Sequence, residues 1–416
     1  MISMELTNDQ LRNITNDVGT PFYLMHPERY VDNVNEFLSA FSHRYQNVIA
    51  AYSFKTNYVP ALCEIARVNG FYAEVVSEME LELAIKLGFE NIILNGPIKK
   101  PSVIDKAIDH NVIINLDAEY EVDYLCEYKA IHKDRPLRVG IRVNVRLVDK
   151  DGLSVVQSGL KNGRFGFTQQ NLLEAINKLR ESAIEICSIH GHSSSSDRAA
   201  QNYKVISEYM LSICEQYHLD DVQYFNIGGG FFGAAPLGFD ITGRPTYQDY
   251  ADIVLNCVLK NSWFMERKPF IVIEPGSSVV SNVFEYYTQV FQLKTIGKKN
   301  FVIVDGTVFD VKPTLHTSNL PFSCISFSHS QTDSDTVYDV VGSTCMEKDI
   351  ILHDVELPKL KKGDLIQIRG VGAYTISLTP TFINFLSPVL RLDKDGKIII
   401  VRRRQSIDDI ISIYTL

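Results

Sequence analysis

The chain has 416 residues, 45% hydrophobic and 22% charged, a globular composition too long for one small core and expected to form two domains. Its formal net charge of -9, with no basic run longer than Arg402 to Arg404, excludes a general nucleic-acid binder. The seven cysteines, at 63, 126, 187, 214, 257, 324 and 345, are odd in number and contain no Cys-x-x-Cys pair, so neither a disulfide framework nor a bound metal is expected.

The N-terminus is polar and acidic rather than basic then apolar, and no apolar stretch approaches the roughly 20 residues that span a bilayer. A cytoplasmic protein without a membrane partner is the expectation. From about residue 20 to 280, short apolar runs alternate with amphipathic stretches whose apolar residues recur at three and four, as in 78–87 and 171–179. The runs are 48–55, 71–77, 92–96, 112–117, 137–144, 186–193, 224–230 and 270–276. Eight strand-helix units in about 250 residues predict a closed (β/α)8 TIM-like barrel rather than an open doubly wound sheet. After 280 the texture changes to strands at 283–296, 300–304, 336–341, 364–369 and 397–403, separated by turn signals such as Lys361-Lys-Gly-Asp364. This predicts a barrel over 22–280 and a mainly β domain over 281–416 together with about 1–21.

Barrel enzymes carry their chemistry at the C-terminal ends of the strands. Lys55 ends the first run, Glu74 and Ser77 the second, Asn95 the third, Arg142 and Asn144 the fifth, His190 and His192 the sixth, Gly228, Gly229 and Gly230 the seventh, and Glu274 the eighth. An amine at an apolar rim can condense with an aldehyde once desolvation favours its neutral form. Consecutive glycines let backbone N–H groups point at a phosphate, although this turn lacks the dinucleotide fingerprint. His190 and His192 share one face of a strand, so a ring can lie against a flat heterocycle, with the hydroxyls of 193–196 nearby. A buried Glu274 can keep a pyridine nitrogen protonated. Each has a plain alternative: a strand-end lysine reaching water, a tightly packed turn, structural histidines or an incomplete metal site, and an acid bonded to loop N–H groups. Taken together, amine, flat-ring stack, anion nest and ring-nitrogen acid describe one ligand, pyridoxal phosphate.

The ordered set Lys55-Thr-Asn57, Glu74-Val-Val-Ser77, Arg142-Val-Asn144, His190-Gly-His192, Gly228-Gly-Gly230, Glu274-Pro-Gly276, Cys345-x-x-x-Asp349 and Gly370-Val-Gly-Ala-Tyr374 resembles the alanine-racemase-like, fold-type III pyridoxal-phosphate decarboxylases, which include the diaminopimelate, ornithine and arginine enzymes. The resemblance implies an amino-acid α-decarboxylase in which Lys55 forms the Schiff base and His192 stacks on the cofactor ring. Ser195, the glycine turn and Tyr374 would hold the phosphate, and Glu274 the ring nitrogen. It also implies that Cys345 enters from a second subunit to protonate the carbon that carbon dioxide leaves, hence a homodimer. Four positions depart from the family pattern. Ser277 replaces the arginine after Glu-Pro-Gly, Met346 replaces the acidic residue after the cysteine, Ser194 replaces a glycine, and Asn384 sits one place from an expected asparagine. With Arg142, the residues Ser277, Met346 and Asn384 are expected to shape the substrate pocket, and an unpaired distal ammonium opposite a thioether would be costly. A racemase on the same barrel and a non-catalytic cofactor-binding homologue are the alternatives.

Overall fold

Apolar runs separated by helices cannot pair as hairpins; they pair in parallel through crossovers. The structure, a computed structural model, describes residues 6–148, 151–156, 160–161, 163–193, 195–327 and 336–415. The chain divides into two compact units. Residues 31–233 and 242–278 hold a closed barrel of β2 (Val48–Ser53), β3 (Tyr72–Val75), β4 (Ile92–Leu94), β5 (Ile113–Leu116), β6 (Arg138–Arg142), β7 (Glu185–His190), β8 (Tyr224–Asn226) and β9 (Phe270–Ile273). Every neighbouring pair is parallel, and β2 closes on β9 with Val48 opposite Ile271.

All eight expected runs form strands, each trimmed at its end. The trimmed residues leave the ladder to become the loops that carry the polar groups. Lys55, for example, sits in the single turn Phe54–Thr56 just beyond β2. Side chains two apart share a face, and the interior follows that period. Ala51, Tyr72, Ile93, Ile113, Tyr224 and Val272 form an apolar lower layer; two residues further along each strand stand Ser53, Glu74, Asn95, Asn115, Asn226 and Glu274, all buried. An apolar floor under a polar layer is what the barrel offers to chemistry.

The second unit comprises the first 30 residues, 234–241 and 279–416. Its sheet includes β1 (Phe22–Met25), β10 (Phe284–Ile296), β11 (Lys299–Val304), β12 (Phe322–Ile325), β13 (Val337–Val341), β14 (Ile350–Glu356), β15 (Leu365–Arg369), β16 (Val389–Leu392) and β17 (Ile398–Arg402). The main path runs β14-β13-β11-β10-β1-β16-β17, with β15 also pairing β10 and β12. The expected boundary at residue 22 needs correction, because Phe22–Met25 pairs antiparallel with β10 and parallel with β16. Phe22 and Leu24 pack with Leu11, Ile14, Tyr287, Leu365 and Leu390 in this unit's core. Residues 234–241 likewise belong here, not to the barrel. No helix among the described residues is long and apolar enough to cross a membrane.

Candidate active site

The polar layer is a continuous hydrogen-bond network. Lys55 Nζ donates to Glu74 Oε2 at 2.6 Å and lies 3.4 Å from Ser53 Oγ. Ser53 Oγ donates to the same Glu74 oxygen at 2.5 Å. Glu74 is 1% exposed and Lys55 37%, so a buried carboxylate holds a half-buried amine by one end. The sequence suggested a desolvated lone amine; the structure gives an ion pair instead. Asn95 Nδ2 links the two carboxylates of the layer, reaching Glu74 Oε1 at 2.9 Å and Glu274 Oε1 at 2.8 Å. Asn115 donates to Asn95 Oδ1 at 2.8 Å, and Ser188 to Asn115 Oδ1 at 3.0 Å. Ser77 plays another part, capping the helix Glu78–Lys86 by accepting the Glu80 N–H.

Glu274 receives both of its side-chain amide bonds, from Asn95 and Asn226, on Oε1. His190 Nε2 stands 3.5 Å from Oε2 but makes no hydrogen bond, and neither does its Nδ1. Among the described residues the buried His190 imidazole is thus left without a hydrogen-bonded partner, an arrangement native interiors rarely keep unless a ligand completes it. Burial pushes the Glu274 carboxyl upward, and the neighbouring His190 and Lys55 outweigh it, holding it well below the usual carboxylate range. His192 is fixed from behind: the Gly229 N–H donates to its Nδ1 at 2.9 Å, which leaves the ring proton on Nε2. Burial, then the Arg142 charge, press its pKa down to about 3, so the ring is neutral. It lies 6.3 Å from the His190 ring, inclined by 25°. A Cβ on Gly228, whose φ is +71°, would fall 2.6 Å from this imidazole; glycine is required there by both backbone and space.

Three expectations change in detail. Of the glycine turn, Gly228 N–H already binds Asn226 Oδ1 and Gly229 N–H binds His192, so of the three only Gly230, an exposed residue, is not tied to either partner. Ser195 Oγ accepts the Arg198 N–H at 3.1 Å and Asn202 Nδ2 at 2.9 Å, a loop-fastening role. Arg142, expected against substrate, is buried, paired with Asp117 at 3.0 Å and set over the Phe165 ring at 4.7 Å. Its Nη2 reaches the His192 carbonyl at 3.4 Å, so it positions the histidine loop. Ser194 lies outside the described residues.

Cys345, Met346, Asn384 and Tyr374 belong to the second unit. Cys345 is an exposed free thiol and Met346 is half-buried. Asn384 donates to Ser343 Oγ at 2.8 Å, tying itself to the cysteine loop. Tyr374 is 41% exposed at φ +53°. Asp349, four residues after Cys345, organises the loop: it accepts from Val308 N–H at 2.6 Å, Thr344 N–H at 2.9 Å and Thr344 Oγ1 at 2.7 Å.

Residues 31–281 match the pyridoxal-binding domain of the pyridoxal-dependent decarboxylases, and residues 209–372 match their C-terminal sheet domain. The chain belongs to this family. Diaminopimelate decarboxylase of Aquifex aeolicus is 28% identical over 414 residues, covering 96% of this chain and 93% of that one. The probable chloroplastic diaminopimelate decarboxylase of Oryza sativa is 27% identical, covering 95% and 79%. Among solved structures, diaminopimelate decarboxylase of Helicobacter pylori complexed with L-lysine superposes with a TM-score of 0.82 at 26% identity, over 97% of this chain and 98% of that one. The enzyme of M. jannaschii with L-lysine gives 0.86 at 23% identity over 98% and 94%, which speaks for the fold.

As a member of the pyridoxal-dependent decarboxylases, the chain is a carboxy-lyase that uses pyridoxal phosphate. The barrel residues fit that cofactor. Lys55 offers the amine, the neutral His192 a flat face, Glu274 a carboxylate whose Oε2 stands 3.5 Å from His190 Nε2, and Gly230 an exposed backbone position.

Proposed function

We propose that this decarboxylase acts on an amino acid, or an amino-acid-derived biosynthetic intermediate, whose distal end carries less charge than that of lysine or diaminopimelate, and that it works as a homodimer with Cys345 completing the neighbouring subunit's site. The observation that carries the reading is the pairing of an intact barrel site with two uncharged residues at positions where the family is charged, Met346 and Ser277.

Bound pyridoxal phosphate supplies the electron sink for loss of carbon dioxide. The chain's own groups do the rest. Glu74 Oε2, 2.6 Å from Lys55 Nζ, holds the proton the amine must lose before it can act as a nucleophile. Glu274, kept ionised and oriented by Asn95 and Asn226, would keep the cofactor's ring nitrogen protonated. His192, against which the Gly228 backbone packs closely, would offer its ring to one face of the cofactor. The Cys345 thiol delivers a proton to the substrate carbon, and the loop held by Asp349 sets its position.

The test is carbon dioxide release from a panel that includes lysine, ornithine, meso-diaminopimelate and neutral or acylated analogues, with Lys55→Ala as the blank. Turnover of uncharged or acylated substrates above the basic ones is expected. Preference for diaminopimelate would sink the substrate reading, racemisation without gas the decarboxylase reading, and yellow protein without any turnover would leave only cofactor binding.

A further inference from the structure

Loops leaving the last three barrel strands meet at one guanidinium. Arg198, beyond β7, places Nη1 3.4 Å from the hydroxyl of Ser277, beyond β9, and its Cζ 5.3 Å from the ring of Phe232, which follows the glycine turn beyond β8. Its backbone is fastened on both sides. The Arg198 N–H donates to Ser195 Oγ at 3.1 Å, and the Arg198 carbonyl accepts the Tyr250 hydroxyl at 2.6 Å. The same Tyr250 oxygen accepts the Phe232 N–H at 3.0 Å, so one tyrosine ties the arginine to the glycine turn. Arg198 is held at φ +48°, a left-handed conformation that is costly for a residue with a Cβ and persists where surrounding bonds impose it.

This much fixing serves a cation whose only side-chain hydrogen bond among the described residues is to a neutral hydroxyl. Among the described residues no carboxylate pairs with Arg198. Arg244 brings a second guanidinium to the same ring, 4.8 Å from its centroid. The Arg198 charge calls for an anion, and Gly230, an exposed residue, stands two places before Phe232. The loops after the seventh and eighth strands of such barrels, here β8 and β9 with Gly230 and Ser277, are where phosphates are held; Arg198, on the loop after the sixth, reaches that Ser277 hydroxyl, and a guanidinium fork matches a phosphate in shape and charge.

We propose that Arg198 is the cation that binds the phosphate of the cofactor, contributing from the loop after β7 the charge that Ser277 does not carry on the loop after β9. The inference rests on the assignment of pyridoxal phosphate to this barrel. It gives the histidine loop two jobs, stacking through His192 and phosphate binding through Arg198. It also leaves the substrate's distal end without this cation.

The test titrates cofactor-free protein with pyridoxal phosphate and, separately, with pyridoxal, which lacks the phosphate. Arg198→Met is expected to weaken pyridoxal phosphate binding by about tenfold or more and to leave pyridoxal binding unchanged. Arg198→Lys should fall between, and Ser277→Arg added to Arg198→Met should recover affinity. Inorganic phosphate should compete with the cofactor in the wild type and weakly in Arg198→Met. Unchanged cofactor affinity, with a raised KM for substrate, would assign Arg198 to a substrate carboxylate and overturn the proposal. Equal weakening of both ligands would make it a structural residue and overturn it too. Should Arg198→Met not fold, Arg198→Lys with the same pair of ligands decides by the same criteria. A wild type that binds no pyridoxal phosphate through Lys55 would overturn the cofactor assignment itself, which separates that failure from insensitivity at Arg198.

Discussion

A histidine kept neutral beside two cations makes stability depend on pH. In the unfolded chain His192 takes up a proton near pH 6.5; in the fold, burial and then Arg142 delay this until about 3. Between those values the unfolded state binds more protons, so stability rises with pH across the window and falls as pH drops through it. The contribution is at most about 1.4 kcal/mol per pH unit. His192→Asn, whose carbonyl can still accept the Gly229 N–H, should flatten that dependence. Urea midpoints of the two proteins between pH 7 and 4 check it, and equal slopes would remove His192 as the cause. At this scale the sequence showed which residues reach the strand exits, because the exits follow from the runs. It did not show their partners. Arg142 reads as a free cation until Asp117, 25 residues earlier on the adjoining strand β5's exit, is brought beside it. Glu74 was visible as a polar strand-end residue, but its bond to Lys55 required the β2–β3 register of Ser53 opposite Glu74.

Elements carry the next two predictions. The loop holding Cys345 depends on Asp349, which is buried and accepts three bonds. Asp349→Ala leaves the Val308 and Thr344 donors without that acceptor, costing about 1–3 kcal/mol. We expect a lower kcat with cofactor affinity preserved, because the lesion is confined to the second unit; a simultaneous loss of cofactor binding would contradict this. The second concerns the barrel wall. Lys99 and Glu121, both fully buried, are paired at 3.1 Å, the lysine also donating to Gly96 O and the glutamate accepting the Asp117 N–H. Burial lowers the pKa of the lysine and raises that of the glutamate, so both are pressed toward neutrality and the pair gains little net stability. Lys99→Met should cost about 3–5 kcal/mol by stranding the carboxylate, while Lys99→Met with Glu121→Leu should recover most of it. Chemical denaturation of the three variants measures the cycle. Elements were also where sequence reading lost ground. β1 is a four-residue apolar run next to a helix, locally indistinguishable from a barrel strand, and only its pairing with β10 and β16 assigns it. β14 was missed because His353 and Asp354, the latter at φ +47°, interrupt its alternation beside two register irregularities.

For the molecule as a whole, the question is whether one chain suffices. Lys55 belongs to the barrel unit and Cys345 to the second, and the proposed homodimer has each barrel served by the other chain's thiol. That arrangement has a consequence arithmetic can settle. Lys55→Ala and Cys345→Ala homodimers should each be inactive, since every site lacks one of the two groups. When the variants are mixed under conditions that exchange subunits, half of the dimers are mixed. Each mixed dimer has one site with both groups intact and one site with neither. About a quarter of the wild-type sites therefore return, and activity should recover to about that fraction. The recovered activity should depend on Lys55-bound cofactor and vanish when both substitutions are placed in the same chain and mixed with either parent. Sites built within a single chain would give no recovery at any mixing ratio, because no exchange could then bring an intact lysine and an intact cysteine together. Such a result would return Cys345 to its own barrel or remove it from the chemistry, and Cys345→Ala kinetics alone would tell which: a lower kcat in the first case, an unchanged one in the second.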